Sequence, residues 1–344
     1  MTRESASGRS PVRRVSWNAD ERRLRAPWRL AVGVVCAVLC GVAGLLLGAA
    51  LDGAVAGAGV VVATVAGTVG RSGVLLGAAG GVLFAARFVD RREQRDLGLG
   101  ASAAWWADLG FGLALGVALP GLVFALELAA GLLRVTGTVV TRPSVAFPAG
   151  AGVPFAVAFA LVAGYFAVVG FVEELVFRGY LLVNAAEGLC WAGPVGARAA
   201  AAAAAALTSV LFGVAHGSNP NATPLAVGTI ALYGGLLAAA FLLTGRLALP
   251  VGFHVAWNLS VSSVYGFPVS GLTTPVTLVA VEQSGPALVT GGRFGPEGGL
   301  VSLVALAAGA ALLAWWVRRR EGQLALRESV ATPDLRSSED GRED

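Results

Sequence analysis

Apolar residues in this chain come in runs of about twenty, the length an α-helix needs to cross the hydrocarbon core of a bilayer. Trp28 to Ala50 is the first such run, with a tryptophan at its entrance. From Asp52 to Val89 the chain stays apolar except for Arg71 and Arg87. A single helix of that length would measure about 57 Å, too long for one crossing. Gly70-Arg71-Ser72-Gly73 offers a break. The pattern therefore predicts one crossing ending near Val89, preceded by a glycine-rich re-entrant or surface piece; two crossings are the alternative. A charged loop, Asp90 to Arg95, follows.

Trp105 to Leu133 reads as the third span, with Pro120 as a kink and Glu127 inside it. Residues 134–150 read as a polar link. The fourth span runs from Pro154 to Leu189. Arg198 opens the fifth, which ends at His216 and is mostly alanine through Ala206; such small residues allow close helix packing. After a turn at 217–221 come Leu225 to Leu243 and Leu247 to Tyr265. A Gly/Pro/Thr-rich loop covers 266–297, and Leu300 to Val317 is the eighth span. Residues 1–27 and 318–344 read as disordered polar tails. The expected fold is an all-α polytopic membrane helix bundle of about eight transmembrane helices.

Composition agrees. The 344 residues are 56% hydrophobic and 13% charged, against about a quarter charged in a soluble domain. All 25 basic residues are arginines and the formal charge is +4. That balance sits in tails and loops, so it reports orientation and not nucleic-acid binding. Arginines cluster before span one, after span two and after span eight. Eight spans put all three clusters on the cytoplasmic side of a cell membrane, with both termini there; nine would split them. Cys36, Cys40 and Cys190 lie in or beside apolar runs and read as small core residues. A retained first helix is expected over a cleaved signal peptide. No repeat relates the two halves, which weighs against a transporter built on duplicated units.

Candidate chemistry lies in Phe171-Val172-Glu173-Glu174-Leu175-Val176-Phe177-Arg178-Gly179-Tyr180. Two carboxylates and an arginine interrupt a stretch long enough to be membrane-embedded, where ionisable groups are costly and usually functional. Glu174 and Arg178 are four apart and share a helix face, so they can pair. Glu173 lies about 100° round the helix and stays free for chemistry. A buried ion pair locking two helices is the plain alternative, but it leaves one carboxylate over. The chain has two histidines. His216 follows Phe212 by four residues, and His254 precedes Asn258 by four; both fall in membrane segments.

Glu-Glu-x-x-x-Arg, Phe-x-x-x-His and His-x-x-x-Asn on successive membrane helices resemble the CPBP family of CAAX-processing and bacteriocin-processing intramembrane endopeptidases. The resemblance covers roughly residues 105–265. Glu173, Glu174 and Arg178 match the first motif, Phe212 and His216 the second, His254 and Asn258 the third. It implies a catalytic membrane bundle over 101–267, with 28–100 and 268–317 flanking it. The implied activity is hydrolysis of a peptide bond in a membrane-associated peptide or protein, within the lipid bilayer. Peptide hydrolysis needs an activated water and donors for an oxyanion. Glu173 can take the proton of a water that His216 orients. His254 and Asn258 can aim two donors at one oxygen, and Glu174–Arg178 can hold the first carboxylate in place. The resemblance leans to a metal-free glutamate mechanism with no cofactor. Glu173, His216 and His254 form a His₂Glu set for zinc as the alternative. A non-catalytic protein of the same fold, and a transporter with a proton relay through Glu173 and His216, are the competing functions.

Overall fold

A computed structural model describes residues 15–19, 21–142, 144, 147, 152–192 and 195–332. Among them the chain forms eight main helices, one long two-stranded ribbon and one two-residue ladder. The helices are α1 (Ala26–Ala54), α2 (Val60–Phe88), α3 (Ala103–Ala129), α4 (Phe155–Trp191), α5 (Ala197–Ala215), α6 (Pro224–Thr244), α7 (Ala248–Leu259, continued by Ser260–Val264) and α8 (Val301–Glu321). The ribbon pairs β1 (Leu133–Thr141) antiparallel with β2 (Val276–Gln283), Leu133 opposite Gln283 and Thr141 opposite Val276. Seven of the helices are long and apolar enough to cross a membrane. The protein is an all-α, multi-pass membrane bundle.

The exception is α7. Its 12 α-helical and 5 π-helical residues span about 25 Å, short of a 30 Å core. Ten of the first 12 are buried, so this helix is wrapped by protein on all sides. Two glycines of α3, Gly112 and Gly116, let its backbone lie directly against Leu249 and Phe253.

The break expected at Gly70–Gly73 does not occur. Residues 60–88 run as one helix, so there is no re-entrant piece between Asp52 and Gly70; the chain turns at 55–59 instead. The glycines serve packing. Gly70, Gly73, Gly77 and Gly81 line one face of α2 and meet Gly48, Gly44 and the backbone of Cys40 and Cys36 on α1. A Cβ on Gly77 would run into the Cys40 carbonyl. This is the small-residue close approach that lipid-embedded helices use.

The polar link 134–150 and the loop 266–297 also differ from expectation, since they supply β1 and β2. Backbone groups there are satisfied by pairing two segments far apart in sequence. Trp17–Asn18 and Arg23–Leu24, placed by sequence in the polar tail, pair as a short ladder. Residues 1–14 and 333–344 of the expected tails lie outside the described residues.

Helix ends sort into two faces. On one, Arg23 meets Glu187 at 2.6 Å, Leu247 N donates to Gly98 O at 3.0 Å, Arg246 bridges Asp108 and Glu321 at 2.6 Å each, and Arg198 meets Glu328 at 2.8 Å. The described N-terminal segment, the loop after α2 and the end of α8 therefore share a face. A buried ion cluster sits there. Glu187 accepts from Arg23, Arg29 and Arg92 at 2.5–2.7 Å, while Asp90 takes the Asn184 amide at 2.7 Å. Burial pushes the Asp90 carboxyl up and the Arg92 guanidinium down from their ordinary values, against the opposing charges of Arg29 and Glu187 respectively. The other face carries the ribbon, the end of α5 and the segment 266–299.

Candidate active site

The motif side chains arrive from three helices. α4 is regular through Glu174 and then widens into a π-helical stretch, Leu175–Leu182, before resuming as α-helix. Such widenings recur at functional sites. Glu174 and Arg178 sit at the junction, both fully buried, and pair at 2.7 Å through Nη1 and Oε1. The second Arg178 nitrogen donates to the Gly234 carbonyl of α6 at 3.0 Å. The guanidinium also lies over the Phe212 ring, 4.4 Å from its centroid. Phe212 in turn packs edge-on to Phe177 and to His254 and lies 4.7 Å from the His216 ring. The motif phenylalanine is thus the apolar hub on which the polar groups are mounted.

Each histidine is fixed through Nδ1. His216 caps the end of α5, and its Nδ1 donates to Phe212 O at 2.7 Å. His254 Nδ1 donates to Glu174 Oε1 at 2.8 Å, the same oxygen that Arg178 holds. Both Nε2 atoms are left facing one carboxylate oxygen. Glu173 Oε2 stands 4.0 Å from His216 Nε2 and 3.8 Å from His254 Nε2, and it has no hydrogen-bond partner although buried. Those gaps exceed direct hydrogen bonding. Asn258 lies one turn beyond His254; among the described residues its side-chain amide has no hydrogen-bond partner.

These groups open onto a cavity of about 330 Å³. Glu173, His216, Asn219, His254, Asn258, Ser270 and Glu297 give its polar lining; Tyr165, Phe166, Phe253 and Trp257 make much of the apolar wall. All seven motif residues expected from sequence are gathered here. Glu174 and Arg178 lie behind the cavity wall, and Phe212 lines it.

Of the lining residues that went unforeseen, a buried carboxylate stands out. Glu297 lies outside the three motifs, just before α8, and is buried. It accepts from Trp257 Nε1 at 2.8 Å, and from Ser270 N and Oγ at 2.6 and 2.9 Å. Ser270 has a left-handed backbone, φ 46°, and its carbonyl takes the Asn219 amide at 3.1 Å. Glu297 so clamps the 268–272 segment over the cavity. The sequence signal was a single carboxylate in a Gly/Pro-rich stretch, which reads as an ordinary loop charge.

The zinc alternative can be tested on the same atoms. Glu173, His216 and His254 have the right donor chemistry, and a carboxylate behind one imidazole is a usual feature of zinc ligation. Yet ligands at about 2.0–2.2 Å from one tetrahedral ion stand only about 3.3–3.6 Å apart. The carboxylate–imidazole gaps are wider, and among the described residues no group of His, Cys, Asp or Glu is gathered tightly enough to hold a metal ion. The residues as placed do not fit a zinc polyhedron.

A bundle spanning the bilayer several times, with a glutamate and two histidines converging on a cavity between its helices, belongs to the class of membrane proteins with an intramembrane polar site. Comparison adds a family match. Residues 153–260, about a third of the chain, match the family described as Type II CAAX prenyl endopeptidase Rce1-like, which supports membership of the CAAX-processing family. The match runs from the start of α4 to the end of the α-helical part of α7, the elements that carry all three motifs. It supports a CAAX-type intramembrane protease in general, a peptide hydrolase acting on membrane-associated protein substrates. No curated protein and no solved structure matches the chain.

Proposed function

We propose that the protein is an intramembrane endopeptidase in which Glu173 activates a water, without a metal. The observation that carries this reading is the unpartnered Glu173 Oε2 facing two imidazole nitrogens, 4.0 and 3.8 Å away, at the wall of an apolar cavity. A water held between carboxylate and His216 Nε2 suits that spacing. Glu173 takes one of its protons, and the hydroxide attacks the scissile carbonyl carbon. The resulting oxyanion is met by Asn258 Nδ2–H and by His254. To donate from Nε2, His254 must carry both ring protons, and Glu174 on one side and Glu173 on the other are the counter-charges such an imidazolium needs. The C–N bond then breaks as the protonated Glu173 returns its proton to the leaving amine. Glu174 has two duties in this scheme: it fixes the His254 ring and neutralises Arg178.

Glu173→Gln is the deciding variant, since it keeps shape and hydrogen bonding but removes the base. Peptide cleavage should fall by about 10²–10⁴, the usual worth of a general base, with the folded protein recovered in detergent. Strong chelators should leave wild-type turnover intact. Wild-type turnover by Glu173→Gln, or one stoichiometric zinc lost in step with activity and restoring it alone, would overturn the reading.

A further inference from the structure

Away from the three motifs, α6 and α8 leave an apolar groove between them. Leu232, Leu236 and Leu243 of α6 line it with Leu306, Ala310 and Ala314 of α8. Leu232 and Ala310 are exposed, and both helices are long and apolar enough to cross the bilayer, so the groove opens toward lipid. From Leu232 to Leu243 it runs about 16 Å at 1.5 Å per residue, close to half of a 30 Å hydrocarbon core. One end is closed by the chain itself. Gly322 turns with a left-handed backbone after α8, Arg327 N donates to Leu242 O at 2.9 Å, and Leu324, between them, lines the groove.

Charge gathers at that same end. A second recess, lined by Ala311, Ala314, Trp315, Arg318 and Arg319, shares Ala314 with the groove. Ala310, Ala314 and Arg318 follow one another at four-residue intervals, so one ridge of α8 leads from the groove to a guanidinium. Arg318 and Arg319 are exposed in the last turn of α8, and among the described residues neither forms an ion pair. Glu321, close by in sequence, is taken by Arg246 and Arg327 at 2.6 Å each. Arg320 lies over the Trp316 ring, 5.5 Å from its centroid. Trp315 is exposed beside the arginines, and tryptophan is the residue that favours the membrane interface.

We infer that the α6–α8 groove and the Arg318–Arg319 recess form one site for an anionic phospholipid. An acyl chain lies along Leu232 to Leu243, and the headgroup phosphate takes charge-assisted hydrogen bonds from the guanidiniums. The occupant follows from what meets at Ala314: apolar wall of half-bilayer length, then donor forks at the interface. A second copy of the chain docked symmetrically on this surface would set its own arginines at the same depth, cation beside cation. The site also backs the catalytic chamber. α6 turns Leu232 and Leu236 to the groove and Ile230, Tyr233 and Leu237 to the cavity, and its Gly234 carbonyl holds Arg178. A seated lipid therefore packs against the rear of the wall that the cavity needs. Nothing in the site draws on the peptide-hydrolase reading, and α8 lies outside the segment matched to the family.

The test uses the full chain in detergent, titrated with lipid and read by native mass spectrometry. The probes are dioleoyl phosphatidylglycerol and dioleoyl phosphatidylcholine, which share chains and phosphate and differ in net charge. Each arginine at a membrane surface favours an anionic lipid by about 5-fold, so wild type should take its first phosphatidylglycerol about 30-fold more tightly than its first phosphatidylcholine. Arg318→Gln combined with Arg319→Gln should bring that ratio to near one, and the corresponding lysine pair should keep most of it. Ala310→Trp fills the groove and should weaken the first binding of both lipids. All the substituted side chains are exposed, so thermal unfolding without added lipid should match wild type. A ratio unchanged in the glutamine pair overturns the inference, as does a lysine pair that behaves like the glutamine pair. First binding untouched by Ala310→Trp overturns it too, since the chain then lies elsewhere. Displacement of bound phosphatidylglycerol by glycerophosphate would make the recess a site for soluble anions and overturn the lipid assignment.

Discussion

Glu174 Oε1 joins two of the motifs, because Arg178 and His254 both donate to it, at 2.7 and 2.8 Å. The i, i+4 spacing made the Arg178 contact readable in the sequence. The His254 contact was not readable, since it joins residues 80 positions apart. The adjacency of the two glutamates hid the same fact: one faces the cavity and the other faces the histidine that serves it. Arg178→Ala strips the buried pair and should cost roughly 3–5 kcal/mol, as removal of one partner of a buried ion pair does. Thermal unfolding in detergent checks this, and unchanged stability would mean that Arg178 does not support Glu174. Asn258→Ala removes a donor without disturbing the hydrogen bonds that hold His254. Turnover should fall by about 10²–10³, as for a lost oxyanion donor, with little change in KM. A variant weakened in KM alone would make Asn258 a binding residue.

Element identity was largely written in the apolar runs, and element ends less so. The helices α4, α5 and α6 lie within a few residues of their expected limits, because long uninterrupted runs leave only one arrangement in lipid. The expectation failed where glycine was read as a breaker. In a membrane helix the alternative to an internal hydrogen bond is lipid, so Gly70 and Gly73 stay helical and their small size is spent on contact with α1. Gly77→Val follows from this. Its side chain would meet the Cys40 carbonyl, and overpacking of this kind costs typically 1–3 kcal/mol. A lowered melting temperature is expected; a Gly77→Val protein as stable as wild type would show that the α1–α2 contact is dispensable. The ribbon was hidden for a different reason, since neither strand alternates cleanly and their pairing spans more than 130 residues.

At the scale of the molecule, chemistry and fastening sit at opposite ends of the bundle. Arginines from before and within α1 and from the loop after α2 gather on one face around Glu187, while His216 and the 268–272 segment lie toward the other. Glu187 is 14 residues beyond Glu173, about 21 Å along the helix. Glu187→Gln leaves three guanidiniums around a neutral amide. It should lower thermal stability, yet turnover per folded molecule should match wild type. Loss of turnover at unchanged stability would contradict the separation. The charge clusters were plain in the sequence as an orientation signal; their buried convergence on one carboxylate was not, because it assembles α1, the loop after α2 and α4.

The π-helical stretch of α4, Leu175–Leu182, lies between those two ends. A π widening adds about one residue to a turn and so shifts the helix by roughly 100° in phase. Glu173 and Glu174 precede the shift; Asn184 and Glu187 follow it. The same helix therefore runs on two rotational settings, one keyed to the histidines and one to the arginines. A one-residue deletion within 175–182 that restored the α-helical count would leave each cluster chemically whole but point them along directions that no single packing of the bundle can satisfy.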